Sequence, residues 1–271
     1  MSKKLKNESE IQNKKSSEKP NIEPQNTNNV QIIRKHIVAS IILNIALIIS
    51  TILGIIFDVF TALGPVCFLY FTVISNILIM IISIVFLIYQ IKYLKNNEYK
   101  VPSWLFPLKF IFTVAITVTF IIYTFILAPV ILAYDNFVKV FSVNNFCLHI
   151  ITPIIAIINF CLIDSHFCFK KHIKYLGLIL PICYFIFSLL LASISNKAYF
   201  IDANNTYSQF PYFFLNYHKF GWFTLNKGIE HIGVFYWLVF VALLILGIGF
   251  ILLKLQNHNH KKYYSNSTQK K

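Results

Sequence analysis

Six apolar runs, at 37–57, 66–89, 106–132, 146–165, 174–193 and 232–253, alternate with short segments rich in lysine, asparagine or aromatic residues. At 1.5 Å rise per residue, about twenty residues cross the hydrocarbon core of a bilayer. The runs lack the alternating apolar and polar pattern of barrel strands. Only helices and closed barrels satisfy their backbone within lipid. The pattern therefore predicts an all-α, polytopic membrane protein: a six-transmembrane-helix bundle over residues 37–253. No internal repeat and no second domain interrupts it.

The interruptions within the runs carry more information than the runs. Residues 68–80 read FLYFTVISNILIM, where spacings of three and four place Thr72, Ser75 and Asn76 on one helical face. Span 4 reads NNFCLHIITPIIAIINFCLIDSH, with His149 inside the run, Pro153 one turn later, and Asn159 and Asp164 deeper. Span 1 has Asn44 as its polar exception, read as packing. Span 3 carries Thr113, Thr117, Thr119 and Thr124. Threonine bonds its own i−4 carbonyl, so these read as helix-packing residues. The segment between spans 5 and 6, about 194–231, contains YSQFPYFFLNYHKFGWF. That is too aromatic for a solvated linker, and Tyr and Trp suit the headgroup level. It is predicted to pack on the bundle mouth as a lid, with Phe210, Tyr212, Phe213 and Trp222 covered.

Composition removes the soluble alternatives: 57% of residues are apolar and 17% aromatic, with a mean hydropathy of +0.65. A net charge of +14 raises the question of nucleic acid, and its distribution answers no. If residue 1 is inside, the cytoplasmic segments hold twenty Lys/Arg, against Lys139, Lys197, Lys219 and Lys227 outside. This asymmetry predicts a multi-pass protein of the cell membrane with both termini cytoplasmic. Residues 1–36 read as a disordered basic tail and 254–271 as a second basic tail, both near anionic headgroups. The first run lacks a cleavage pattern and reads as an anchor. One arginine against 23 lysines, with abundant Ile, Asn, Phe and Tyr, fits an AT-rich bacterial genome. Cys67, Cys147, Cys161, Cys168 and Cys183 lack paired metal spacing and read as free thiols in apolar packing. Cys67 and Cys147 both start helices on the outer side and could meet, a disulfide being the minor alternative to free-thiol packing. No metal and no organic cofactor is implied. Asn204-Asn205-Thr206 is a formal glycosylation sequon, without meaning in a bacterium.

Ionisable residues within a membrane are functional hypotheses by default. His149 lies well inside a run, while Asp58, Asp164, Glu230 and His231 sit at helix ends. The lack of a midplane carboxylate or lysine argues against a proton- or sodium-coupled transporter. Thr72 falls roughly 10 Å below Pro65 at helical rise, and His149 roughly 7 Å below Asn144 and Asn145. At matched depth, a hydroxyl and a neutral imidazole form a minimal nucleophile and base. Ser75 and Asn76, one turn below Thr72, are placed for orienting or binding, including oxyanion contact. The plainer reading gives all four residues to helix packing, where such contacts average about 0.6 kcal/mol.

Three segments together, FLYFTVISNIL, LHIITPIIAIINFCLID and FPYFFLNYHKFGW, resemble one family of six-span membrane proteins. It is the androgen-induced gene product and androgen-dependent TFPI-regulating protein family, with its uncharacterised bacterial branch. The shared features are an FT-x-x-SN element in span 2, a His four residues before Pro in span 4, and a P-Y-x-F-L-type outer loop. The resemblance covers about residues 37–253. It implies an intramembrane threonine hydrolase or acyl-transfer enzyme acting on fatty-acid esters, with Thr72 as nucleophile and His149 as base. Its partners would be membrane lipids and a hydrophobic ester. The alternative is a non-enzymatic six-span protein: a small-molecule or lipid transporter, or a subunit of a membrane complex. A cavity open at both ends would favour transport, and one closed at the cytoplasmic end the enzyme.

Overall fold

The computed structural model describes residues 27–96, 101–133, 137–163, 167–194, 198–201, 207–225 and 232–264. Six helical runs are long and apolar enough to cross a bilayer: α1 (Arg34–Ala62), α2 (Phe71–Asn96), α3 (Leu105–Ala133), α4 (Val143–Ile163), α5 (Lys171–Ile194) and α6 (Val234–Lys262). The chain is an all-α, multi-pass integral membrane protein. The only paired strands among the described residues are Phe200–Ile201 and Tyr207–Ser208, antiparallel within the long loop before α6.

The helices depart from the apolar runs mainly at their ends. α2 begins at Phe71, later than the run at 66, because Gly64–Leu69 forms a 3-10 turn with Pro65 near its start. Gly64 has φ 64°, a left-handed conformation that glycine takes without a Cβ penalty. At the termini, helix begins at Thr27 and ends at Tyr264, so residues 27–36 and 254–264 are helical beyond the apolar runs. No proline lies in either extension, and lysine, glutamine and asparagine continue a helix after the apolar stretch ends. Residues 1–26, Asp164, the sequon at 204–206, Glu230 and His231 lie outside the described residues.

Helix α3 is the centre of the bundle, packing on α2, α4, α5 and α6. Its Phe110, Val114, Ala115 and Ile116 are fully buried. Hydrogen bonds fix α1 antiparallel to α4: Asn144 Nδ2 donates to Asp58 Oδ1 (2.9 Å), Thr152 Oγ1 to Ser50 Oγ (3.0 Å) and Ser40 Oγ to Asn159 Oδ1 (2.8 Å). Gly54 lets α4 approach, since a Cβ there would stand 2.6 Å from Leu148 Cγ. Around Asn159 the bonds close into a ring. Asn159 Nδ2 donates to Asn44 Oδ1 (2.7 Å), Asn44 Nδ2 to Gln90 Oε1 (3.0 Å) and Gln90 Nε2 to Ser40 Oγ (2.7 Å). Asn44 thus joins three helices. We call this the tail end of the bundle. Beside the ring, Phe106 stacks on Phe167 (4.8 Å between centroids), and Phe110 and Phe160 pack on Phe169.

At the opposite end, the loop between α5 and α6 folds back onto the helices. Phe210, Phe214 and Leu215 are buried in the same core cluster as α3. Phe213 and Phe214 meet Trp237 of α6. Tyr212 and Phe213 are half-buried. Trp222 differs from expectation: it is 40% exposed, and Phe223 is 68% exposed. Here the backbone makes the attachment. Phe235 N donates to the Trp222 carbonyl (3.0 Å) and Val234 N to the Gly221 carbonyl (3.1 Å). The side chains are left facing outward, as an aromatic belt residue can. Among the described residues all five cysteines are free, including Cys67 and Cys147.

Candidate functional site

Two prolines shape the helices around the site. Proline lacks an amide proton and its ring clashes with the carbonyl four residues earlier. Pro153 therefore leaves the His149 carbonyl without its helical donor. The turn Cys147–Ile151 widens to π-helix, with Thr152 N bonding the Cys147 carbonyl. Pro129 acts identically in α3: Tyr123–Leu127 is a π-turn, and Ala128 N bonds the Tyr123 carbonyl. Such π-turns recur at functional sites because they re-aim one side chain. Here they bring two rings together: Tyr123 stacks on His149 at 3.8 Å between centroids and 14° between planes. The Tyr123 hydroxyl donates to the Val140 carbonyl (2.8 Å), fixing the face on which the imidazole rests.

His149 and Thr72 line one cavity of about 650 Å³, its mouth included. Its floor is buried and comes from α2, α3 and α4: Phe71, Thr72, Val118, Thr119, Ile122 and His149. Tyr212, Phe214 and Leu215 of the aromatic loop roof it. Pro181 and Phe185 of α5 and Trp237, Leu238 and Val241 of α6 form a half-buried side wall. α5 packs on α6 through Lys171–Leu178, whereas Ile179–Ile194 leans on α3, so the two helices part towards the lid. Residues of both helices line the cavity there.

Polar groups in this apolar chamber divide into engaged and available. The Thr119 hydroxyl donates to the Ala115 carbonyl (3.1 Å), and the Tyr184 hydroxyl to the Leu69 carbonyl (2.9 Å). Thr72 Oγ1 lies 3.5 Å from the Tyr212 hydroxyl, a loose contact. His149 is 8% exposed, and its Nδ1 is buried without a partner. The Thr119 carbonyl is its hydrogen-bonding neighbour. Burial pushes the Tyr212 phenol up to about 12, so it remains a protonated donor across the physiological range.

Ser75 and Asn76 sit behind the cavity, fully buried and outside its lining. Ser75 Oγ reaches the Thr72 carbonyl (3.0 Å) and Thr119 Oγ1 (3.1 Å), tying α2 to α3. Asn76 Nδ2 donates to the Thr72 carbonyl (2.8 Å) and the Leu148 carbonyl (3.0 Å), tying α2 to α4 beside His149. Of the polar stripe, Thr72 alone faces the space. With both amide protons engaged, Asn76 has no donor left for an oxyanion. Thr113, Thr117 and Thr119 bond their own i−4 carbonyls, as the packing reading of span 3 expects. Tyr123 and Tyr212 were absent from the sequence-based candidates. The two prolines at equal offsets from the π-turns were the available signal for Tyr123. Tyr212 looked like any other ring in an aromatic loop.

No metal-binding group of His, Cys, Asp and Glu occurs among the described residues. No family model, no curated protein and no solved structure matches the chain.

Proposed function

We propose that the protein is an intramembrane hydrolase or acyl-transfer enzyme acting on esters of membrane-soluble lipids, with Thr72 as nucleophile and His149 as general base. The observation that carries this reading is that a loosely held Thr72 hydroxyl and a buried imidazole whose Nδ1 has no partner line one apolar cavity. An apolar chamber with few convergent polar groups is the usual form of a site for a hydrophobic ligand. Threonine is a poor nucleophile alone and acts when a base takes its proton as it attacks. Thr72 Oγ1 adds to the ester carbonyl and His149 accepts the proton. His149 then returns it to the departing alcohol, leaving an acyl group on Thr72. Water, or an acceptor alcohol, releases that acyl group with His149 again as base. Tyr123 holds the imidazole in place, and the Ser75 and Asn76 bonds orient Thr72 and the Leu148–His149 segment. The motif resemblance to the androgen-induced gene product family points to the same pair.

The sparse contact between α5 and α6 along the cavity supports lateral entry of an acyl chain from the lipid. Lysine asymmetry supports cytoplasmic termini and an outer lid, a topology in which the chamber lies in the outer leaflet. At the tail end Ser40, Asn44, Gln90 and Asn159 bond to one another across three helices, which supports an enzyme over a permease. Labelling purified protein with a long-chain fluorophosphonate tests the reading. Covalent adduct on Thr72, lost in Thr72→Ala and His149→Ala, is the expected result. Adduct formation indifferent to both substitutions overturns it.

A further inference from the structure

An acyl-transfer site needs donors for the negative charge that develops on the carbonyl oxygen, and the residues first considered for that task are engaged elsewhere. Asn76 uses both amide protons on the Thr72 and Leu148 carbonyls. Ser75 is turned to the Thr72 carbonyl and Thr119. Thr119 and Tyr184 donate to backbone carbonyls. One donor on the cavity wall is left without a strong partner, and it belongs to the lid.

We infer that the Tyr212 hydroxyl, together with the amide end of α2, is the oxyanion site of this enzyme. The inference rests on the hydrolase reading of Thr72 and His149. Three observations carry it. First, the phenol oxygen lies 3.5 Å from Thr72 Oγ1, so a carbonyl under attack by Thr72 comes within reach of it. Second, Phe71 and Thr72 open a helix of 26 residues, whose first amides have no intrahelical acceptor. The same two amides lie beside the Tyr212 oxygen. Third, the unpartnered Nδ1 of His149, on a side chain 8% exposed, lines the same space. The arrangement combines a nucleophile, a base and a positive helix end around one empty volume.

The ring of Tyr212 is held for this role. It stacks on Phe214 at 5.2 Å and 2°, and meets Tyr70 edge-on at 6.1 Å. Without substrate the hydroxyl rests on Thr72. When Thr72 Oγ1 bonds to the carbonyl carbon, the C=O π pair moves to oxygen and the Thr72 proton goes to His149. The new oxyanion accepts the Tyr212 O–H as a hydrogen bond, with no proton transferred. On collapse the C–O ester bond breaks, and the leaving alkoxide takes the proton held by His149. Because Tyr212 sits on the loop and the amides sit on α2, the site is complete only when the lid is seated.

The test is steady-state hydrolysis of p-nitrophenyl octanoate by the full-length protein in detergent micelles. Wild type is compared with Thr72→Ala, His149→Gln, Tyr212→Phe and Tyr184→Phe. Tyr212→Phe keeps the ring stack and removes only the hydroxyl. Loss of one oxyanion donor lowers kcat about 10²-fold or more, with KM nearly unchanged. Tyr184→Phe, whose hydroxyl serves a backbone carbonyl, retains far more activity. If Thr72→Ala is inactive while Tyr212→Phe matches wild type, the hydrolase reading stands and the oxyanion assignment is overturned. If Tyr212→Phe and Tyr184→Phe fall equally, the effect is packing and the assignment is again overturned. If hydrolysis persists undiminished in Thr72→Ala and His149→Gln, the hydrolase reading fails and takes this inference with it.

Discussion

At the tail end of the bundle Ser40, Asn44, Gln90 and Asn159 close a ring of hydrogen bonds, whereas at the lid end Thr72, His149 and Tyr212 surround empty space. Both are clusters of buried or half-buried polar side chains in an apolar bundle. In the ring every amide oxygen accepts and every amide group donates. At the lid the one bond to Thr72 Oγ1 is long and an imidazole nitrogen has no partner. Burying a polar atom without a partner is costly, so a saturated cluster specifies packing. An unsaturated one bordering a cavity marks a place where a ligand completes the bonds.

The largest expected effect separates the two ends by activity. Thr72→Ala and His149→Gln lower ester hydrolysis by of order 10⁴–10⁶-fold, the loss typical of a nucleophile or its base. Thr72→Ala costs only about 0.6 kcal/mol of stability, the average for a polar contact in a membrane bundle. A folded Thr72→Ala protein with wild-type turnover would erase the distinction between the two clusters.

Next in size is a change that touches neither polar cluster directly. Pro153→Ala restores the missing amide proton, so α4 closes to regular helix at 147–151 and turns His149 away from its Tyr123 shelf. A misplacement of about 1 Å costs on the order of 10²-fold in rate. Turnover should fall to that degree while thermal stability holds or rises. Unchanged turnover would mean that the π-turn does not aim the imidazole.

The ring gives the converse result. Asn44→Leu removes the acceptor of Asn159 Nδ2, and leaving such a group unpaired costs about 2 kcal/mol. Unfolding by increasing SDS should shift accordingly, with hydrolysis by the remaining folded protein unaltered. A selective loss of turnover instead would give the tail end a part in the chemistry.

The smallest effect concerns Tyr212 and alkali. Burial raises its folded-state pKa from 10.0 to about 12, so the fold holds a proton that the unfolded chain releases first. Stability from this group is complete below pH 10.0 and is lost as pH rises towards about 12. Tyr212→Phe should flatten the stability profile in that window and leave it unchanged at neutral pH. Parallel profiles for both proteins would show that the phenol is not buried in solution.

By itself the sequence determined the six-span class, because twenty apolar residues in water have no alternative but to span or aggregate. It also exposed the residues that break that rule, since Thr72, Ser75, Asn76 and His149 are visible as polar letters in apolar text. Matched depth along spans 2 and 4 followed from helical rise alone. Rotation about each helix axis did not. Whether Ser75 and Asn76 face the cavity beside Thr72 or stand behind it depends on where α3 and α4 pack, and those contacts lie 44 and 72 residues away in the chain. Nor does a linear pattern reveal that Asn44 belongs to a ring with Ser40, Gln90 and Asn159. The same limit hid Tyr212: its aromatic neighbours made the loop legible as a lid, and only the tertiary fold set one hydroxyl, 140 residues from Thr72, against it. Apolar periodicity is a local property of one segment facing lipid, so it can be read in order. The partner of a buried polar atom is a property of the packed bundle, decided by which distant helix arrives opposite it.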